Sequence, residues 1–132
     1  MKSLLVLCTC LLTLATDSIP HKTATTPDLE VLLGQWQLDM SPQDQTDDNF
    51  AMMNITKIVD GSFEGEFYRE GVKIRNAQTN TQLGIIYGSL ISGDRSGTYN
   101  TAFYYKDGVL YGTTHAVDRD FLAVWTAVKT KS

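Results

Sequence analysis

The chain has 132 residues and a formal net charge of −4, with 15 acidic against 11 basic residues. This length suits one domain and excludes two of ordinary size. A mildly acidic chain without a basic patch is a poor candidate for binding nucleic acid or anionic membranes. We therefore expect no nucleic-acid partner and no membrane insertion.

The first 15 residues have the pattern of a secretory signal peptide. A basic residue precedes an apolar run over residues 4–14, and Thr-Leu-Ala at 13–15 fits a small-x-small cleavage site. The sequence therefore predicts cleavage near Ala15 and a secreted or periplasmic protein. Cys8 and Cys10 both lie in this segment and fit a lipidation motif poorly. We expect the mature chain to have no disulfide and to depend on its core for stability.

A polar segment separates the signal peptide from the folded domain. Residues 16–30 are rich in threonine and contain two prolines, which indicates a disordered leader. Residues 28–33 are predicted to form a short helical turn. Residues 31–132 are predicted to form a single β domain.

From Gly34 onward, apolar residues recur with a period of two, which is typical of β-strands. Asp60-Gly61, Glu70-Gly71 and Asp107-Gly108 have the sequence of tight hairpin turns, because glycine adopts positive φ readily. The pattern predicts eight strands, at about 34–40, 50–59, 62–69, 72–77, 82–91, 97–106, 109–117 and 121–129.

Short connections between successive strands require antiparallel pairing. Closing eight such strands into a ring removes the unpaired sheet edges. The predicted fold class is therefore all-β, an eight-stranded antiparallel up-and-down β-barrel. A two-sheet β-sandwich is the alternative.

The stretch GQWQLDM at residues 34–40 begins the first strand. Gly34 permits a sharp bend, and Trp36 is predicted to point inward and plug one end of the barrel. A Gly-x-Trp at the head of eight meander strands resembles the calycin superfamily of lipocalins, fatty-acid-binding proteins and avidins. FEGEFY at 63–68 and Trp125 are similar to features of avidins. The residues after Trp36 differ from the avidin biotin contacts, so we expect no biotin binding.

The calycin resemblance implies a barrel interior that holds one small ligand. The aromatic residues on the later strands suit a pocket for a flat, partly polar molecule. The predicted ligand-binding residues are Trp36, Tyr87, Tyr105, His115 and Trp125. The alternative is that these aromatic side chains, with Tyr99, Phe103 and Met53, simply fill the core.

Neither catalysis nor metal binding has a clear motif in this sequence. His115 is the one histidine of the predicted domain, and a structural role is the simpler interpretation. Asp44, Asp47 and Asp48 lack the spacing of a calcium-binding loop. We expect no catalytic residue, no metal and no cofactor.

These patterns predict a non-catalytic protein that binds a small, partly apolar molecule. One alternative is a packed barrel that binds another protein, as some secreted protease inhibitors do, through outward tyrosines such as Tyr68, Tyr104 and Tyr111. Another is a small isomerase or hydrolase that uses His115 as a base. The oligomeric state and the ligand's identity are not predicted by the sequence.

Overall fold

The computed structural model describes residues 25–131. The predicted signal peptide (1–15), both cysteines and most of the predicted leader (16–30) lie outside these residues. Within residues 25–131, no helix has the length and apolar character needed to cross a membrane.

The described chain contains eight strands and two short 3₁₀ helices. The first 3₁₀ helix, Leu29–Leu32, is capped by the Asp28 carboxylate, which accepts from the Glu30 N–H. It agrees with the short turn predicted at 28–33. The strands are β1 Gly34–Asp39, β2 Phe50–Val59, β3 Ser62–Tyr68, β4 Arg75–Asn80, β5 Tyr87–Asp94, β6 Gly97–Lys106, β7 Val109–Ala116 and β8 Phe121–Lys131; the second 3₁₀ helix is Val117–Arg119.

All eight strands belong to one antiparallel sheet, in the order β3-β2-β1-β8-β7-β6-β5-β4. The first and last strands are neighbours, with Gln35 paired to Lys131. The outer strands β3 and β4 approach each other at Glu66 and Lys73, where an isolated bridge forms. The sheet is therefore a nearly closed barrel, which confirms the predicted fold class over the two-sheet sandwich.

The barrel has two ends with different connections. We call the end that carries residues 40–49, 69–74, 95–96 and 117–120 the mouth, and the opposite end, with residues 29–33, 60–61, 81–86 and 107–108, the base. The long acidic loop predicted at 41–49 lies at the mouth.

The bounds of β4 and β5 differ from those predicted. Both strands begin three to five residues later than the predicted starts of 72 and 82. Residues 72–74 pair with β3 through one isolated bridge, Glu66 to Lys73, which two backbone hydrogen bonds form. Residues 81–86 form a loop in which the Gly84 N–H donates to the Thr81 carbonyl. The apolar run from Leu83 onward predicts a strand, yet Leu83 is exposed.

The predicted roles of Gly34 and Trp36 are confirmed at the base. A Cβ on Gly34 would lie 2.2 Å from the Lys131 carbonyl oxygen, and its φ of +127° favours glycine. The buried Trp36 indole donates to the Leu32 carbonyl at 2.8 Å. The Lys129 ammonium lies 5.1 Å from the centre of the Trp36 ring and donates to the Val31 carbonyl. Through these two hydrogen bonds, Trp36 on β1 and Lys129 on β8 hold the first 3₁₀ helix against the base of the barrel.

Candidate functional site

The inner wall near the mouth carries three buried hydroxyl side chains. Ser92 on β5, Thr101 on β6 and Thr114 on β7 are each at most 5% exposed. Their neighbours toward the mouth, Ala116 and Ala123, are small and also buried. We call the three hydroxyl residues the hydroxyl cluster. It makes the interior near the mouth more polar than the base, where large apolar side chains fill the barrel.

Trp125 forms the floor beneath the hydroxyl cluster. Its indole Nε1 donates to Thr114 Oγ1 at 2.9 Å, and Thr114 Oγ1 lies 2.9 Å from Thr101 Oγ1 in a second hydrogen bond. The Phe67 ring lies against the Trp125 ring, with centroids 6.1 Å apart. A chain of hydrogen bonds therefore orders the indole and two hydroxyl groups along one wall.

Ser92 differs from the other two members of the cluster. Its Oγ is completely buried and has no hydrogen-bond partner among the described residues. A buried hydroxyl without a partner costs about 1–3 kcal/mol of folding free energy. Such groups are rare in native proteins and ask for a physical explanation.

Two tyrosines and an arginine lie at the rim of the mouth. The Tyr68 and Tyr99 rings stack, with centroids 6.5 Å apart and planes at 6°. Arg119 donates from Nη2 to the Tyr99 hydroxyl at 2.6 Å. Tyr68 has a φ of +81°, an unusual backbone conformation for a bulky residue. Strained residues of this kind cluster at functional sites.

An ion pair joins two connections of the rim. Arg69, after β3, bonds to Asp94 at the end of β5. Ser96 donates to the same carboxylate from its hydroxyl and its backbone N–H. These Ser96 bonds, with a smaller contribution from Arg69, lower the pKa of Asp94 below its ordinary value of 3.8. The carboxylate thus holds the 95–96 turn against the 69–74 connection.

The structure places three of the five predicted ligand residues on the inner side. Trp36 and Trp125 are fully buried. Tyr105 is half-buried and packs edge-on against Trp36, with centroids 6.4 Å apart. Trp36 and Tyr105 therefore belong to the base, and Trp125 alone of these residues borders the hydroxyl cluster.

Tyr87 and His115 lie on the outer face, so the prediction that they point inward was wrong. Tyr87 is 39% exposed, and its inward neighbour Gly88 is covered by the Phe103 ring. His115 is exposed, while the adjacent Thr114 points inward. Both strands have apolar residues on both sides, so the alternation of hydrophobicity did not distinguish inside from outside.

The hydroxyl cluster was missed because serine and threonine carry no hydrophobic signal. The strand register contains the signal that could have found it. Once Trp125 is placed inward, its pairing with Gly112 makes Thr114 inward as well, and Thr114 pairs with Thr101. These residues come together only when the strands pair. The pattern of a single strand does not show this pairing.

Two aspartates of the acidic loop at the mouth accept hydrogen bonds from within the loop. The Asp44 carboxylate accepts from the Thr46 hydroxyl and backbone N–H, which lowers the pKa of Asp44 below 3.8. The Ser41 hydroxyl donates to Asp47 at 2.6 Å. Among residues 25–131, no group of three or more His, Cys, Asp or Glu side chains is placed to hold a metal ion.

The outer wall carries several open depressions. One of about 580 Å³ lies where β3 and β4 separate, lined in part by Glu64 and Lys73. Another of about 440 Å³ lies over β5–β8, between Tyr104, Tyr111 and Val124. Comparison of the chain with family models, characterised proteins and solved structures gave no match.

Proposed function

We propose that this protein is a non-catalytic barrel that binds one small, partly apolar molecule in the interior near its mouth. The observation that carries this proposal is Ser92, whose buried hydroxyl has no partner within the described residues. A ligand that offers a hydrogen-bonding atom would satisfy this hydroxyl and offset the cost of burying it. The free protein loses folding free energy by burying the Ser92 hydroxyl without a partner. Binding of the ligand would recover this free energy.

The surroundings of Ser92 support the chemical class of the ligand. The Trp125 and Phe67 rings offer an apolar floor for a flat or compact body. Thr101 and Thr114 offer further hydroxyl groups beside it. A ligand with one or two polar atoms on an apolar skeleton matches this combination.

The mechanism needs only access through the rim. The Tyr68–Tyr99 stack and the bond from Arg119 to Tyr99 lie at the mouth, so a ligand would reach the hydroxyl cluster when this rim moves. The loop at 41–49 would then cover the bound molecule. We also propose, from the N-terminal pattern alone, that the protein works outside the cytoplasm.

The outer position of His115 weighs against the enzyme alternative. A general base must lie within hydrogen-bond reach of the proton that it removes from a bound substrate. His115 faces away from the barrel interior, on the side of the sheet opposite Thr114. The proposed site therefore includes no general base.

Native mass spectrometry of the protein, purified without denaturation from its own producing cells, tests the proposal. We expect a retained small molecule in the wild type. Ser92→Ala removes one hydrogen bond and should weaken binding by about tenfold. The matched control Ser89→Ala, on the exposed side of the same strand, should leave binding unchanged.

The same two variants separate a ligand site from a merely structural serine. In the free protein, Ser92→Ala should unfold with the same or a higher free energy, because it removes an unsatisfied buried group. A wild type that carries nothing and a Ser92→Ala variant that loses stability would together contradict the proposal.

A further inference from the structure

A row of three neighbouring tyrosines lies on the outer side of β5, β6 and β7. Tyr87 pairs with Tyr104, and Tyr104 pairs with Tyr111, all on outward positions. Their ring centroids are 6.0 Å and 5.1 Å apart, and the second pair is nearly parallel at 17°. Neighbouring rings pack against one another, which favours this arrangement of the row before any partner arrives.

An aliphatic row continues this surface on β8. Leu122, Val124 and Val128 point outward and are each more than half exposed. A depression of about 440 Å³ separates Val124 from the tyrosines. We call the tyrosine row and the aliphatic row together the tyrosine face. Exposed apolar surface of this extent on a soluble domain marks an interaction site.

The charge of the tyrosine face restricts its partner. No outward position of β5–β8 carries an aspartate or glutamate; the basic side chains there are Lys106 and Lys131 at the base end and His115 toward the mouth. The full chain has a net charge of −4, so two copies repel each other where their carboxylates meet. On the tyrosine face, two copies can approach without opposing carboxylates.

The size and layout of the face also fit a second copy. Four strands at about 4.8 Å spacing, each with about eight residues, cover roughly 500 Å² in projection. At roughly 500 Å² per partner, the face lies at the small end of specific protein interfaces, whose standard size is about 800 Å² per partner. A two-fold axis would set the tyrosine row of each copy against the β8 aliphatic row of the other.

We propose that the tyrosine face is a two-fold symmetric interface between two copies of this chain. The interface leaves the mouth uncovered, so it is independent of ligand binding by the hydroxyl cluster. Each copy would contribute its aromatic row as the anchor and its aliphatic row as the receiving surface.

Sedimentation velocity of the full chain over a range of concentrations tests this proposal. We expect a dimer that dissociates only on dilution. Val124→Glu buries an unpaired carboxylate in each half of the interface and should raise the dimer dissociation constant by about 100-fold or more. Phe50→Glu is the matched control, because Phe50 is similarly exposed but lies on the outer side of β2. It should remain dimeric.

A second variant, Tyr104→Glu, tests the same face in case Val124→Glu does not fold. Near-ultraviolet circular dichroism shows whether each variant is folded. A wild type that stays monomeric at every concentration would overturn the proposal, even if it captured a different protein. A dimer that survives both face variants, or that is lost with Phe50→Glu, would do so as well. Ligand binding should be unchanged in Val124→Glu.

Discussion

At the scale of single residues, two glycines in the inner wall are required by the rings that cover them. A Cβ on Gly112 would lie 2.2 Å from the Trp125 ring, and one on Gly88 would lie 2.3 Å from the Phe103 ring. The Phe103 and Trp125 rings thus occupy the space that side chains at Gly88 and Gly112 would need.

Gly112→Ala should lower the free energy of unfolding by about 1–3 kcal/mol, because the indole must move and strain its bond to Thr114. Gly61→Ala is the control, since a Cβ there meets only Thr79 at 3.9 Å. Its effect should stay within about 0.5 kcal/mol. Urea unfolding measures both; equal losses would show that the ring over Gly112 imposes no constraint.

Asp94 makes the stability of the rim depend on pH. Folding lowers its pKa from 3.8, chiefly through the Ser96 bonds. The ionised carboxylate therefore adds stability above this value, and the contribution is lost as pH falls through the lower folded pKa. Asp94→Asn should reduce the free energy of unfolding at about pH 7, and the gap to the wild type should narrow as the pH falls toward about 2.

Ser96→Ala, which removes the main cause of the lowered pKa, should reproduce part of the Asp94→Asn effect with the same pH dependence. Urea unfolding of both variants at the two pH values checks this expectation. A gap that stays constant as the pH falls would instead assign the loss to the turn's packing.

At the scale of elements, β4 is the strand held most weakly. It pairs with β5 through an irregular register around Arg75 and Gln78, and its approach to β3 is limited to the bridge near Lys73 and a few hydrogen bonds. Local opening requires fewer contacts to break there than in β7, which is paired along both sides.

Amide hydrogens of residues 75–80 should therefore exchange faster than those of Val109–Ala116 in β7. Hydrogen exchange followed by mass spectrometry or NMR measures the difference. Equal protection of the two strands would show that β3 and β4 close the barrel as firmly as any other pair.

The elements also show how far the sequence alone could predict this fold. The period of two and the glycine turns were enough for eight strands and for their antiparallel order. They failed for the start of β4, where Val72 and Ile74 alternate like a strand but lie in the connection. The position of a strand's first paired residue depends on its neighbour, and the neighbour is not visible in a local pattern.

At the scale of the whole molecule, alternate residues of each strand face the barrel interior and the outer surface. On β7, Thr114 belongs to the hydroxyl cluster while Tyr111 belongs to the tyrosine face. For this reason, the sequence predicted only in part which aromatic side chains face the interior. Trp125 was placed correctly, whereas Tyr87 was assigned to the wrong side, which moves it from the proposed pocket to the proposed interface.

The pairing of β1 with β8 has a consequence for the newly made chain. Every other neighbouring pair in the sheet joins strands that follow each other closely, so two meanders, β1–β3 and β4–β8, can form as the polypeptide emerges. Their union waits for Lys131 to meet Gln35. Until β8 has left the ribosome, the edges of β1 and β7 that β8 will cover have no partner. The nascent protein most needs a chaperone during this interval.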